Sequence, residues 1–329
     1  MDSQLTRDVL KDPLVSQEVP YAVLTPPSWS RDERLPLVLL LHGASSSAEV
    51  LNVFQPVVER LWIEGALPRS VVASASTPTA GGFYIDHGPG HQWESLVANA
   101  FPQLLATSYG VDPERVSLLG ASMGGYGALK IAFADPGRWE AVAAVAPALL
   151  PAEPGARNTL GVLGELAAAM AGAPGNDALE RLRANAEAVR ASSLPIFLRC
   201  GDRDVFAMHD GTERLHRALW DLDIGHDYHL VYGADHIGPE GVAAQRAALS
   251  FIGAAQRART GDDLTAADRE HVAAWEAWAE AGRQGPPPTL DTFGRSGPAA
   301  MRVLLAPQIA EAVRQDPAAQ RRYGVLPAD

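Results

Sequence analysis

The stretch Val116-Ser-Leu-Leu-Gly120-Ala121-Ser122-Met123-Gly124-Gly125-Tyr126-Gly127-Ala128-Leu129 joins a short apolar run to Gly-x-Ser-x-Gly and then to helix-forming residues. Residues 116–119 carry the β-branched and leucine content of a buried strand, and residues 128–134 the alanine and leucine content of a helix. Ser122 therefore stands between strand and helix. A turn that sharp brings backbone against the serine, so glycine is placed at 120 and 124, where a Cβ would clash. The pattern predicts a nucleophile elbow that lifts the hydroxyl above a sheet.

Working outward, Leu35–Leu41 is aliphatic apart from Pro36, as expected of a strand covered on both faces, and it runs into His42-Gly43-Ala44. A helix with Val50, Leu51, Phe54, Val57, Val58 and Leu61 at three- and four-residue spacing follows, then a strand at Val71–Ala75. Residues 15–24 alternate like an exposed strand, with Pro20 pointing to an edge or a bulge. The glycine-rich segment 81–91 carries Phe83, Tyr84 and two histidines and is expected to line a cleft, whereas residues 93–109 read as helix with a kink at Pro102. Beyond the elbow, strands at Ala141–Val145, 196–200 and 227–232 alternate with helices at 210–221 and 240–256. Strand and helix in alternation imply right-handed crossovers and an α/β fold with a mostly parallel sheet covered by helices on both faces.

Two segments depart from that rhythm. Proline and glycine punctuate residues 147–193, which are expected to form an inserted helical cap over the sheet edge. Residues 259–329 are alanine-rich and charged, and form a helical C-terminal extension to a catalytic domain of residues 1–258. Its Trp275 and Trp278 need cover from the core or from a second copy of the chain.

Composition narrows the function. The 329 residues hold 27 Lys plus Arg against 39 Asp plus Glu, a net charge of -12, so nucleic acid and anionic membrane surfaces are poor partners. One cysteine, Cys200, leaves no disulfide framework and no zinc cluster, and fits a reducing compartment. The N-terminus lacks an apolar signal core and no apolar run is long enough to cross a bilayer, so a cytoplasmic protein is expected.

A serine hydroxyl needs a base to remove its proton and a charged group to orient that base. Gly201-Asp202-Arg203-Asp204 and Ala234-Asp235-His236 each follow a strand, so both loops emerge at the edge that carries Ser122. Ser122, Asp204 and His236 stand in the chain order of α/β-hydrolases, with Asp202 as the reserve acid. The oxyanion of the tetrahedral intermediate would be met by the backbone N–H groups of Met123 and Ala44. His42, Tyr84 and Trp93 are candidate substrate contacts, and neither a metal nor an organic cofactor is required.

"VPYAVLTPPSWSRDERLPLVLLLHG" (19–43), Phe83-Tyr-Ile-Asp86, Trp93-Glu94, "LLGASMGGYGALKIAFADPGRW" (118–139) and "CGDRD" (200–204) resemble the putative esterase family that contains esterase D, S-formylglutathione hydrolases and mycolyltransferases. The resemblance spans residues 15–255 and implies the α/β-hydrolase fold, the same triad and the same pair of amides. Ala100-Phe101-Pro102 stands where many members carry Glu-Leu-Pro. The expected activity is hydrolysis of a small carboxylic ester or thioester. Acyl transfer through the same triad and a hydrolase-like protein that only binds ligands are the alternatives, and the extension is the candidate surface for self-association.

Overall fold

The computed structural model describes residues 3–150, 164, 174–260, 266–289, 300–301, 303–308 and 311. Of the cap expected at 147–193, residues 151–173 therefore lie outside the described residues, apart from residue 164. The described strands are β1 (Gln4–Leu10), β2 (Val19–Thr25), β3 (Leu35–Leu41), β4 (Val71–Ala75), β5 (Val111–Ala121), β6 (Ala141–Val145), β7 (Ile196–Gly201) and β8 (Asp227–Val231). They form one sheet in the order β1-β2-β4-β3-β5-β6-β7-β8, antiparallel from β1 to β4 and parallel from β4 to β8.

All seven residues of β3 are buried, and the pleat sends them into two different cores. Leu35, Leu37, Leu39 and Leu41 join one cluster with Phe101, Leu105, Leu129, Phe133 and Leu182. Val38 and Leu40 join the other with Leu51, Phe54, Leu61, Leu249 and Ile252. The first face is thus covered by α2 (Phe101–Tyr109), α3 (Met123–Ala134) and α4 (Ala178–Ala184), the second by α1 (Leu51–Ile63) and the long helix α7 (Glu240–Thr260). Between α4 and α7 lie α5 (Ala186–Ser192) and α6 (Met208–Asp221), and α8 (Ala266–Glu280) follows. Helix α3 is buried from Met123 through Phe133, so it is apolar on nearly every side and shows little of the amphipathic striping of a surface helix.

Three expectations are corrected. The polar N-terminus forms β1, which covers β2, so β2 is an interior strand and Pro20 sits one residue inside its start. Asp112-Pro113-Glu114, whose composition alone reads as a turn, is a bulge inside β5: Leu35 pairs Val111 while Leu37 pairs Val116, and the extra residues loop out. The segment 81–91 sends Phe83, Tyr84 and Ile85 into the core, not into a cleft.

Packing divides the chain into two compact units, Met1–Gln256 and Arg257–Asp329. In the second unit the Trp275 and Trp278 rings meet edge to face at 5.6 Å, and their indole N–H groups donate to the Thr289 and Gly285 carbonyls, both at 3.4 Å. None of the described helices is long and apolar enough to cross a membrane.

The start of α3 is pressed onto the end of β3. A Cβ on Gly124 would stand 1.9 Å from the Leu41 carbonyl oxygen, a backbone atom with nowhere to retreat. Gly124→Ala is expected to lower stability by about 3 kcal/mol, read as a fall in the urea midpoint, whereas an unchanged midpoint would show that the approach is not needed.

Candidate active site

Ser122 occupies the corner between β5 and α3 with φ 55° and ψ -120°, a left-handed conformation that costs a side-chain-bearing residue on the order of 1–3 kcal/mol. Backbone bonds hold it there. Its N–H donates to the Val145 carbonyl at 3.0 Å, and its own carbonyl accepts from Tyr126 at 3.0 Å and Ala148 at 2.9 Å. A Cβ on Gly120 would meet the Gly124 carbonyl oxygen at 2.1 Å, so the turn closes only around glycine. Met123 opens α3, and its N–H is one of the donors that a helix start leaves unused, at the positive end of the helix dipole.

The loop after β3 lies beside the serine: the position of a Cβ on Gly43 is 3.6 Å from the Ser122 Cβ. Neighbouring amides in this loop are committed, Ser45 to Thr79 Oγ1 at 2.8 Å, Ser46 to the Gly43 carbonyl at 3.3 Å and Ala48 to Ser76 Oγ at 3.0 Å. The Ala44 N–H donates to none of the described residues. His42 locks this backbone. The Thr77 N–H donates to His42 Nε2 at 2.8 Å, so the ring proton sits on Nδ1 and is donated to the Gly43 carbonyl at 2.8 Å. Burial pushes the His42 pKa below its ordinary value of 6.5 and keeps the ring neutral, the state this bonding requires.

The candidate acid and the candidate base meet just beyond the ends of β7 and β8. His236 Nδ1 donates to Asp204 Oδ2 at 2.7 Å, which turns Nε2 away as the ring's acceptor. The Asp204 side chain is fully buried, and its Oδ1 accepts from the backbone N–H groups of Phe206 at 2.9 Å and Met208 at 3.4 Å. Phe206 stands edge-on to the imidazole, ring centroids 4.8 Å apart. Asp202, the reserve acid, instead accepts from the Gly233 N–H at 2.6 Å, and Asp235 accepts from Val205 and His236, which holds its carboxyl below the usual range. Burial beside the Asp204 carboxylate pushes the Cys200 thiol up to about 12, so it stays protonated. Among the described residues no hydrogen bond joins the Ser122 hydroxyl to His236; such contacts commonly tighten when substrate arrives.

Three candidate substrate contacts are corrected. His42, Tyr84 and Trp93 are buried, 1%, 0% and 2% exposed, and act from beneath the site. Both His42 nitrogens are engaged, the Tyr84 hydroxyl donates to the His42 carbonyl at 3.0 Å, and the Trp93 indole N–H lies in the core.

Sequence reasoning missed a buried ion cluster below the elbow. Lys130 Nζ, fully buried on α3, bonds Glu94 Oε2 at 2.9 Å, and Arg181 of α4 takes the other Glu94 oxygen. Tyr126, one turn from Ser122, donates its hydroxyl to the Asn176 carbonyl at 2.6 Å. The cluster ties the chain at 174–181 to the elbow helix, and the two cations overcome the effect of burial to hold the Glu94 carboxyl below its ordinary range. A lone lysine within the apolar run 127–133 is the sequence signal that points to it.

A neutral buried histidine has a consequence for pH. Because folding depresses the His42 pKa, the unfolded chain binds this proton more readily, so the contribution is complete above about pH 6.5 and is lost as pH falls towards the lower folded value. Since burial also depresses His216 and His226, the test is a difference: unfolding free energy of wild type minus that of His42→Gln, measured from pH 7.5 to 5, is expected to shrink with acidification. A flat difference would contradict the neutral assignment.

The arrangement can be set beside known proteins. The chain is 40% identical over 78 residues to an S-formylglutathione hydrolase of Bos taurus, covering 22% of this chain and 28% of that protein. It is 29% identical over 151 residues to one of Paracoccus denitrificans, covering 40% and 53%. It thus spans about half or less of the curated relatives it matches. A solved ferulic acid esterase superposes with a TM-score of 0.65 at 20% identity, covering 77% of this chain and 98% of the other, a likeness of the α/β-hydrolase fold. The family model described as putative esterase matches residues 14–237, the stretch that holds the elbow, the loop after β3, the acid and the base, and the chain belongs to that family.

Proposed function

We propose that the protein is a serine hydrolase of small carboxylic esters or thioesters, with Ser122 as nucleophile, His236 as general base and acid, and Asp204 as the group that orients the imidazole. The observation that carries this is the 2.7 Å bond from His236 Nδ1 to the buried Asp204, set at the same sheet edge as a serine on a strained elbow. Ser122 Oγ attacks the carbonyl carbon while His236 Nε2 takes its proton. The negative charge that develops on the carbonyl oxygen is met by the amides of Met123 and Ala44, a contribution of about 3–4 kcal/mol per donor. The imidazolium then protonates the departing oxygen or sulfur. Water, deprotonated by the same nitrogen, cleaves the acyl-serine. Asp204 remains a carboxylate throughout and stabilises the imidazolium.

Family membership supports the ester class, as do relatives whose name is S-formylglutathione hydrolase. The net charge of -12 argues for a small molecule over nucleic acid, and the single cysteine suits a reducing, cytoplasmic setting.

The reading is tested with nitrophenyl acetate and a fluorophosphonate probe. Ser122→Ala is expected to abolish labelling and lower kcat/KM by about four orders of magnitude or more. Asp204→Asn should cost about 10⁴ in kcat through the wrong imidazole tautomer, while Asp202→Asn, which only weakens a turn, should stay within a fewfold of wild type. Comparable turnover by Ser122→Ala, or the reverse order of the two aspartate variants, would overturn the assignment.

A further inference from the structure

The candidate base stands on a loop that gives it little packing of its own. From 232 to 243 only Ala234 is buried, His236 is half-buried, and every other residue is exposed. A general base works only when its nitrogen is held within hydrogen-bonding reach of the proton it takes, so this loop must be ordered from outside. The loop that carries Asp204 does this. The two press together where a Cβ on Gly201 would stand 2.2 Å from the Ala234 carbonyl oxygen. Around that point the Asp202 N–H donates to the Val231 carbonyl at 3.1 Å, and the Arg203 N–H to that of Ala234 at 3.0 Å.

Past Ala234 a side chain continues this seam. Asp235 Oδ1 accepts the Val205 N–H at 2.7 Å and the His236 N–H at 2.6 Å. Val205 is the residue after Asp204, so a single oxygen ties the backbone beside the acid to the backbone of the histidine. Bonds from N–H groups to a carboxylate are shorter and stronger than neutral ones, and two on one atom leave it little freedom. Both go to backbone, so Asp235 acts on the geometry of the pair and not on the reacting atoms. Asp202 differs, since the Gly233 N–H that it accepts lies three residues short of His236.

We propose that Asp235 is a positioning residue for the acid–base pair: its Oδ1 staples the His236 loop to the Asp204 loop and so keeps Nδ1 on Asp204 and Nε2 placed for the Ser122 proton. This rests on the triad assignment and goes further by naming the residue that seats the base. The staple works through an acceptor atom rather than through charge, because Asp235 is exposed and its field is screened by water and salt. Asparagine offers a carbonyl oxygen at the same place and satisfies the same two amides. Alanine satisfies neither.

The test is steady-state hydrolysis of nitrophenyl acetate by Asp235→Ala and Asp235→Asn. His236 serves both acylation and deacylation, so a loosened base slows both steps and lowers kcat while KM stays near that of wild type. We expect kcat to fall about tenfold in Asp235→Ala with KM within about twofold, and Asp235→Asn to recover to within about threefold of wild type. In an Asp204→Asn background, where the imidazole has already lost its partner, Asp235→Ala should cost less than about twofold more. An unchanged kcat in Asp235→Ala, a rise in KM in place of the fall in kcat, no recovery with asparagine, or the full tenfold loss again in the double variant would overturn the staple. Asp235 is exposed, so the variants are expected to fold, checked by the urea midpoint; Asp235→Ser, whose side chain is too short to bridge the two amides, replaces the alanine variant if that one is unstable. Asp204→Asn alone separates the two claims. If it keeps full activity the triad falls and the staple with it, whereas a crippled Asp204→Asn beside a fully active Asp235→Ala removes only the staple.

Discussion

Close backbone approach at one corner is the constraint on which the rest depends. The end of β5, the start of α3 and the end of β3 converge where a Cβ on Gly120 would stand 2.1 Å from the Gly124 carbonyl and one on Gly124 would stand 1.9 Å from that of Leu41. Only glycine permits both approaches, and together they force the residue between, Ser122, into a positive φ. The strain is held by the Val145, Tyr126 and Ala148 bonds and by a helix buried along almost its whole length. Other left-handed, non-glycine residues sit around this edge, Ser45, Phe83, Tyr84, Ala146 and Ala207, so the backbone that surrounds the serine is shaped against local preference by the fold around it.

Around that corner the buried polar groups are held by several fixed partners at once. His42 is held neutral with both nitrogens engaged, which fixes the loop that carries Ala44. Asp204 is stripped of water, yet its oxygens are filled by backbone N–H groups and by the imidazole, so the histidine keeps the tautomer that leaves Nε2 as an acceptor. Glu94, Lys130 and Arg181 satisfy one another beneath the elbow and tie 174–181 to α3. A buried ion cluster of this kind adds little net stability compared with an apolar core. Removing a single partner is expensive, and this makes the cluster a rigid fastening.

Much of the fold can be read from the chain because buried parallel strands are continuous apolar runs and because the elbow is signalled by its glycines. Leu35–Leu41, Val71–Ala75 and Ala141–Val145 read that way. β1 does not: Gln4–Leu10 is mostly solvated, so its sequence carries no apolar stripe and only pairing with β2 makes it a strand. The bulge in β5 escapes for a related reason, since Asp112-Pro113-Glu114 has the composition of a turn and only the register against β3 absorbs it into a strand.

By itself the sequence determined the strand and helix order, the elbow at Ser122 and the loops that carry Asp204 and His236, because steric need for glycine and hydrophobic periodicity are local properties of the chain. The sequence placed Asp204 ahead of Asp202 as the partner of the imidazole, and the tertiary structure shows the bond; only the tertiary structure decided that His42, Tyr84 and Trp93 brace the site from inside the core. It also decided that a lysine within an apolar helix meets a glutamate 36 residues away. The physical reason is that a side chain's partner depends on its direction and depth in the packed molecule, and residue type and spacing do not encode either one.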